Sequence, residues 1–259
     1  MRILLITGSK NKVFEYARYK INKSLKKNHI IVNYVWKKKI NLIKKIFQFI
    51  KIKNYSQLFF KISYLMHYKL INYYNKKKWQ NINNYFYDLL INLDLKKISK
   101  HQLKLKYKNN INACLSKIKK EEFDALILVG SPYITKQNFL KFPLRLNLHI
   151  GYLPFYKSTK CLERAIIDKK FDRIGFSINE VDEILDGGRI LFRKKITNTI
   201  NKSISQLYIL CFKQGIDAII NYINKGNLKK ISVKKNFKDK IFYDYNFTFK
   251  SYKLILNKL

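Results

Sequence analysis

The first 36 residues follow the pattern of a strand, a helix and a second strand. Residues 2–7 (RILLIT) are an apolar run that ends at Gly8-Ser9, and residues 29–36 (HIIVNYVW) are rich in β-branched and aromatic side chains. Between them, residues 11–27 carry apolar side chains at the spacing of one helical face, namely Val13, Tyr16, Ala17 and Ile21. Because a helix that connects two strands in this way makes them parallel, the sequence predicts the start of an α/β fold.

Later segments extend the same pattern. Residues 124–130 (DALILVG) form a near-continuous apolar run, which is typical of a parallel strand covered on both faces. The spacing of apolar residues elsewhere predicts further strands at residues 144–150, 173–181 and 189–196. It also predicts helices at residues 110–120 and 203–224. We therefore expect a Rossmann-like, open and mostly parallel sheet, with a small β extension in the last 30 residues.

Residues 37–105 interrupt this pattern after the second strand. They are mostly helical in pattern, with an apolar stripe at Leu42, Ile43, Ile46, Phe47 and Ile50. We predict an insertion of two or more helices that packs against the sheet; a helix lying on a membrane surface is the alternative. The predicted organisation is one α/β domain over residues 1–200, followed by a C-terminal helix and a small extension over residues 201–259.

The charge of the chain is strongly positive and unevenly distributed. Its 259 residues include 54 Lys and Arg against 16 Asp and Glu, a net charge of +38, while 47% of the residues are hydrophobic. That hydrophobic share excludes a disordered polyelectrolyte. The charge is typical of a partner such as nucleic acid or an anionic membrane, or else of a composition biased toward Lys, Asn, Ile and Tyr.

One segment of the chain has a nearly balanced charge, unlike the rest. No acidic residue lies between Glu15 and Asp88, whereas residues 124–188 hold nine Lys or Arg and eight Asp or Glu. The same window contains all three prolines and five of the eight glycines. We expect a chemical site there.

Apolar runs and cysteines bear on the location of the protein. No stretch approaches the length that a membrane-spanning helix or a signal peptide needs. The three cysteines, Cys114, Cys161 and Cys211, form no CxxC pair, which favours a reducing compartment and no metal knuckle. We therefore expect a cytoplasmic protein without a transmembrane segment.

A polar pair stands out on the strand predicted at residues 144–150. Strict alternation places Asn147 and His149 on one face, about 6–7 Å apart along the strand. The carboxyl end of a strand in an open α/β sheet lies at the ligand crevice. There an amide can donate a hydrogen bond to an oxyanion, and an imidazole can exchange protons near neutral pH. Gly151 and Pro154 turn the chain directly afterwards, so we expect His149 at the rim of the sheet and not in the core.

Several motifs accompany this pair at regular spacing. They are Asn147-Leu-His149 with Leu153-Pro154, Glu163-Arg-Ala-Ile166, Gly175-Phe-Ser177 and Leu185-Asp-Gly-Gly188. Together they resemble the folate-dependent formyltransferase family, which includes methionyl-tRNA formyltransferase, glycinamide ribonucleotide transformylase and sugar N-formyltransferases. The resemblance is good over residues 120–200, faint over residues 1–36 and absent from residues 37–105.

The resemblance implies a reaction and a set of site residues. The family moves a formyl group from 10-formyltetrahydrofolate to a primary amine, and the catalytic triad carried over is Asn147, His149 and Asp186. In that chemistry Asn147 and His149 are suited to bind the oxyanion, while the His–Asp pair is suited to relay protons without a metal. The residues that the resemblance places around the folate are Val129, Gly130, Ser131, Tyr133, Ile184 and Leu185.

Two positions depart from the family pattern. Ser158 stands where the family usually has glycine, so we expect the loop after Pro154 to differ. Asn179 stands where many members have histidine, so we expect a changed acceptor or folate pocket.

Three functions remain open from the sequence. The leading hypothesis is formyl transfer to an amino sugar nucleotide or a similar small amine, by a monomer or a homodimer. The second is a methionyl-tRNA formyltransferase, for which the positive charge would suit tRNA. The third is a non-catalytic basic protein that binds RNA or a membrane surface.

Overall fold

The computed structural model describes residues 1–9, 11–25, 29–36, 68–92, 105–225, 241–242 and 254–255. The strands in these residues are β1 (Arg2–Gly8), β2 (Ile30–Trp36), β3 (Leu105–Lys108), β4 (Ala125–Val129), β5 (Leu144–His149), β6 (Lys157–Ser158), β7 (Gly175–Glu180), β8 (Ile190–Lys195) and β9 (Ile241–Phe242). The helices there are α1 (Lys12–Ser24), α2 (Tyr68–Asn92), α3 (Ile111–Leu115), α4 (Lys136–Phe139), α5 (Cys161–Ile167) and α6 (Ile204–Lys225), with a 3₁₀ turn at Phe171–Arg173.

Seven strands form one sheet in the order β3-β2-β1-β4-β5-β7-β8. The strands from β3 to β5 in that order run parallel, and β7 and β8 are antiparallel to their neighbours. The predicted Rossmann-like, open and mostly parallel sheet is therefore confirmed. The carboxyl ends of β1, β4 and β5 meet at one edge, which is where such sheets bind ligands.

Apolar side chains on both faces of the sheet build the core. Strand β4 is buried over its whole length, as its continuous apolar run predicts. Helix α1 covers one face with the side chains predicted from its periodicity, Val13, Tyr16, Ala17 and Ile21. A second cluster, on the opposite face, packs Leu4 and Ile6 against Phe123, Phe139 and Phe142.

The described part of the insertion is one long helix. Helix α2 packs mainly on α1 and α6, because its buried stripe (Ile71, Tyr74, Ile82, Phe86 and Leu90) joins the core on the helical side. The sequence did not predict β3, which lies at the end of the expected insertion and pairs with β2. Residues 37–67 and 93–104, including the predicted stripe from Leu42 to Ile50, lie outside the described residues.

The C-terminal part adds a helix and a short strand pair. Helix α6 packs against β5 and β7, and β9 pairs with β6 at Lys157 and Ser158. The domain division after residue 200 stays a prediction, as do the cytoplasmic location and the homodimer. Of the described helices, none has the length and apolarity required to cross a membrane.

A buried ion pair joins the insertion to the rest of the fold. Lys78 Nζ on α2 lies 2.6 Å from Glu163 Oε1 on α5, and their side chains are 3% and 0% exposed. Glu163 also accepts hydrogen bonds from the hydroxyls of Tyr74, at 3.0 Å, and Tyr208, at 2.7 Å. The Lys78 ammonium lies over the Tyr208 ring, 4.8 Å from its centroid. One carboxylate therefore connects α2, α5 and α6.

The charge of Lys78 controls the ionisation of this carboxylate. Burial alone would raise the pKa of Glu163, but the charge and hydrogen bond of Lys78, with the Tyr208 hydroxyl, outweigh it and hold the pKa below its ordinary value of 4.5. A carboxyl group whose pKa is lowered by folding stabilises the fold above its unfolded pKa, and this contribution is lost as the pH falls through the folded pKa.

Substitution of Glu163 tests the strength of this connection. We expect Glu163→Gln to lower the free energy of unfolding at pH 7 by about 3–5 kcal/mol, because it leaves the Lys78 ammonium buried without a counter-charge. Urea unfolding at a series of pH values measures this, and the difference from the wild type should shrink below about pH 4.5.

The exposed pair between Lys12 and Glu15 supplies the control. Its side chains are 40% and 45% exposed, so Glu15→Gln should cost less than about 1 kcal/mol. Equal losses in the two variants, or a Glu163→Gln difference that does not change with pH, would contradict the assigned role of the buried pair.

Candidate active site

Strand β5 places two polar side chains at the ligand edge of the sheet. Asn147 is partly buried and His149 is 5% exposed, and both line an open cleft of about 240 Å³. The alternation predicted for this strand holds, since Leu146 and Leu148 belong to the core on the other face.

The carboxylate of Asp186 meets both side chains. Its Oδ1 accepts a hydrogen bond from Asn147 Nδ2 at 3.0 Å, and its Oδ2 lies 3.3 Å from His149 Nδ1. Oδ2 also accepts a hydrogen bond from the backbone N–H of Ser158 at 2.8 Å. The three residues predicted as a triad therefore come together, although 37 positions separate His149 from Asp186 in the sequence.

The turn between β7 and β8 explains how Asp186 reaches β5. Asp186 has a backbone φ of 51°, in the left-handed region that residues other than glycine seldom occupy. A Cβ atom at Gly188 would lie 2.0 Å from the Glu180 carbonyl oxygen, so only glycine allows this approach. The Asp-Gly-Gly motif is thus a structural requirement for the position of the carboxylate.

His149 is the last residue of β5 and lines the cleft at the rim of the sheet. The loop after Gly151 nevertheless folds over the ring and buries it. Its Nε2 lies 2.9 Å from the Tyr156 carbonyl oxygen, which can only accept, so Nε2 donates. A Cβ atom at Gly151 would lie 2.4 Å from Nε2, so this glycine provides the space for the ring.

Hydrogen-bond donors of the site are already in use. Both ring nitrogens of His149 face oxygen atoms, and Asn147 Nδ2 directs its hydrogens to Asp186 and to Asn179 Oδ1, at 3.2 Å. In this arrangement neither side chain presents a free N–H to the cleft. The direct binding of an oxyanion by both side chains stays a prediction, and it would require them to exchange a protein partner for the substrate.

Residues expected around the folate divide into two groups. Gly130, Ser131, Tyr133 and Leu185 line the cleft. Val129 is fully buried, with its side chain in the core, and the Ile184 side chain is 53% exposed; neither is part of the cleft wall. The Tyr133 hydroxyl donates to the Glu183 carbonyl at 3.2 Å, which connects the two walls.

Two neighbours of the triad could not be found by sequence reasoning. The Ser158 N–H is a backbone donor, which no residue type signals. Cys161 Sγ lies 3.5 Å from His149 Nε2 and donates to the Ser158 carbonyl at 3.3 Å. Burial, with the charges of Asp186 and Glu163, raises the pKa of this thiol well above its ordinary value, so it is a neutral donor and not a nucleophile.

Metal ligands do not cluster in this region. Across the described ranges, no group of three or more His, Cys, Asp or Glu side chains is arranged to hold a metal ion.

Comparison with known proteins identifies the class to which this α/β sheet and its polar cleft belong. The sequence profile of the family described as formyl transferase matches residues 91–223, which is half of the chain. This chain belongs to the formyl transferase family, as its motifs predict.

Individual relatives are more distant. The methionyl-tRNA formyltransferase of Sulfurihydrogenibium sp. (strain YO3AOP1) is 27% identical over 140 residues, which cover 53% of this chain and 44% of the relative. The chain thus spans less than half the length of that curated relative.

Two solved structures share the fold. A sugar N-formyltransferase from Shewanella sp. FDAARGOS_354 superposes with a TM-score of 0.58 at 12% identity, covering 95% of this chain and 78% of the other. An N-formyltransferase from Helicobacter canadensis, in complex with folinic acid and dTDP-3-aminofucose, superposes with a TM-score of 0.53 at 16% identity. The match covers 98% of this chain and 78% of the other.

The departure at Ser158 has a structural consequence that can be measured. Ser158 has a φ of 76°, the backbone conformation that favours glycine. We expect Ser158→Gly to raise the free energy of unfolding by about 0.5–1 kcal/mol, since relief of the left-handed strain exceeds the extra freedom of glycine in the unfolded chain. Urea unfolding measures the gain.

Asn198, at a φ of 52°, is the matched position, because asparagine tolerates this conformation better than serine. Asn198→Gly should therefore raise the free energy of unfolding by less than Ser158→Gly does. A loss of stability in Ser158→Gly would show that the serine side chain makes a contact worth more than the strain.

Proposed function

We propose that this chain transfers a formyl group from 10-formyltetrahydrofolate to a primary amine at the cleft formed around Asn147, His149 and Asp186. The observation that carries the proposal is the carboxylate of Asp186, held by donors from two separate segments at the ligand edge of the sheet. Membership in the formyl transferase family supports it.

The reaction needs a group that accepts a proton. The bond from the formyl carbon to the donor nitrogen breaks and a bond to the acceptor nitrogen forms, while the acceptor nitrogen loses a proton and the donor nitrogen gains one. Asp186 Oδ2 already accepts from the Ser158 N–H and lies beside His149 Nδ1, whereas Oδ1 accepts only from Asn147 among the described residues. Since each carboxylate oxygen has two lone pairs, Oδ1 keeps one for the amine proton.

His149 acts through Asp186 in this scheme. The ring lies between the Tyr156 carbonyl and Asp186 Oδ2, so it holds the carboxylate in place. His149 is therefore a positioning residue, and it does not contact the formyl group.

Features of the cleft fit a folate as formyl donor. Its walls combine apolar side chains such as Leu128 and Leu185 with the polar groups of Ser131 and Asn147. The Helicobacter canadensis neighbour has folinic acid in its crystal, which supports the same class of donor here. The donor supplies the activated formyl carbon, and Asn147 and Asp186 orient the amine that attacks it.

An amino sugar nucleotide is the acceptor that we favour. Both structural neighbours described above are N-formyltransferases, one of them named for sugars and the other crystallised with an amino sugar nucleotide. Methionyl-tRNA is the second candidate, because the curated relative carries that name and the chain has a net charge of +38.

Substitution of Asp186 tests the proposed chemistry. We expect Asp186→Asn to lower kcat/KM by about 10²–10⁴-fold, because an amide cannot take the amine proton. The measurement is release of tetrahydrofolate from 10-formyltetrahydrofolate, with mass spectrometry of the formylated product, over a panel of dTDP- and UDP-linked amino sugars and methionyl-tRNA.

Asp172 is an exposed carboxylate in the 3₁₀ turn, and Asp172→Asn should leave the rate unchanged. An equal rate in Asp186→Asn and the wild type would refute the assignment. If no acceptor is formylated but RNA or anionic vesicles bind with a steep salt dependence, the chain is a basic binding protein instead.

A further inference from the structure

We propose that Asn112, which lies outside the cleft, is a positioning residue that holds residues 131–135, here called the donor wall, in the shape that binds the formyl donor. The inference rests on the proposed function for the identity of that ligand, 10-formyltetrahydrofolate. The contacts that hold the donor wall are a property of the chain alone, so they can be tested without a substrate.

The donor wall joins the end of β4 to the start of α4 and has no regular secondary structure. Four of its residues, 131–134, line the cleft. Ile134 is 1% exposed and packs in the core, whereas Tyr133 is 49% exposed. One buried side chain fixes where a loop passes but leaves the peptide groups on either side free to turn. The donor wall therefore keeps a single shape only if its backbone is hydrogen-bonded to the rest of the fold.

The side chain of Asn112 provides these hydrogen bonds. Its Nδ2 donates to the Tyr133 carbonyl at 2.9 Å, and its Oδ1 accepts from the Thr135 N–H at 2.9 Å, so the two contacts lie on either side of Ile134. Because that carbonyl can only accept and that N–H can only donate, one orientation of the Asn112 amide satisfies both. Among the described residues, Asn112 is the only hydrogen-bond partner of the backbone of residues 133–135 outside the donor wall and α4.

Helix α3 gives Asn112 a fixed anchor. Ile111 and Leu115 bury the apolar face of this helix in the core. The Asn110 side chain caps its first turn by accepting from a backbone N–H at 3.1 Å. At the other end, Lys141 Nζ donates to three backbone carbonyls at 2.7–2.8 Å. None of these contacts involves a residue of the cleft, so the position of Asn112 does not depend on a bound ligand.

Loss of the Asn112 contacts should affect the donor and not the acceptor. The other contact of Tyr133, from its hydroxyl to the Glu183 carbonyl at 3.2 Å, is exposed, so water can replace it. Without Asn112, the donor wall would have to be ordered when the formyl donor binds, and this cost weakens binding. The amine is proposed to meet Asp186, whose partners all lie outside the donor wall.

Substitution of Asn112 separates the two substrates. Asn112→Ala should weaken the binding of folinic acid, measured by titration calorimetry, about five- to tenfold, because the ligand must then order the donor wall. KM for 10-formyltetrahydrofolate should rise by a similar factor, while KM for the amine stays within about twofold of the wild type. An unchanged affinity for folinic acid, or an equal rise of both KM values, overturns the proposal.

Asn22 provides a matched control for loss of a helical asparagine. It is partly buried on α1, where its Nδ2 donates to the Arg18 carbonyl at 2.7 Å and to Asn33 Oδ1 at 3.1 Å, and it does not line the cleft. Asn22→Ala should lower the free energy of unfolding, measured in urea, about as much as Asn112→Ala does and leave the affinity for folinic acid unchanged. A weaker affinity in Asn22→Ala would show that destabilisation alone causes the effect, which overturns the proposal.

Hydrogen exchange of the Thr135 backbone amide tests the Asn112 contact without any ligand. In ¹⁵N-labelled wild type, this amide should exchange with water more slowly than the amide of an exposed loop residue. The protection should be lost in Asn112→Ala and kept in Asn22→Ala. It should also be kept in Asn112→Asp, because a carboxylate still accepts from the Thr135 N–H.

The exchange result also separates failure of this inference from failure of the proposed function. Rapid exchange of the Thr135 amide in the wild type overturns the inference. If the exchange follows the expected pattern but the wild type binds no folinic acid and formylates no amine, the positioning role of Asn112 is supported and the proposed function is refuted.

Discussion

The carboxylate of Asp186 is the contact on which the cleft depends. It binds two side chains of β5 and the backbone of β6, so it fixes the end of the sheet, the loop that covers His149 and the turn between β7 and β8 relative to one another. A carboxylate that is 7% exposed is costly to bury unless each of its oxygens is hydrogen-bonded. The Asn147 and Ser158 donors give each oxygen a hydrogen bond, and Oδ1 keeps a lone pair toward the cleft. The same hydrogen bonds therefore stabilise the buried Asp186 carboxylate and orient it for the proposed reaction.

Much of this arrangement follows from periodicity, and the rest does not. Alternation along β5 is enough to place Asn147 and His149 together, because a strand has only two faces. The approach of Asp186 follows from no local pattern, since it depends on the length of two antiparallel strands and on a glycine that admits the Glu180 carbonyl; only the resemblance to a family suggested it. Strand β3 was missed because its sequence, LKYK, has only one apolar and one aromatic residue, which alternate with lysines, and the strand depends on pairing with β2.

Helix α2 of the insertion is connected to the candidate active site through contacts with α5. Glu163, which binds Lys78 of α2, lies in the same short helix as Cys161, whose thiol contacts His149 and the Ser158 carbonyl. Helix α2 therefore buries an apolar stripe and also fixes the helix that supports the covering loop. A lysine within the buried stripe of α2 is the sequence signal of this contact, because an ammonium group at such a position requires a counter-charge.

The uneven charge of the chain also has a structural explanation. Acidic side chains are retained between residues 124 and 188, and most of them have a defined partner: Asp124 with the Arg2 N–H, Glu163 with Lys78, Asp168 with Arg164, Glu180 with Arg189, Glu183 with Lys136 and Asp186 with His149. A lysine at position 163 would place a second cation in a buried site beside Lys78, and a lysine at position 186 would bury a charge without a counter-charge. On exposed helical positions the same change costs little, since such charges are screened by solvent and salt. Burial therefore makes the sign of the charge matter at positions 163 and 186, whereas the pairs of Asp168, Glu180 and Glu183 are partly or largely exposed and depend on it less.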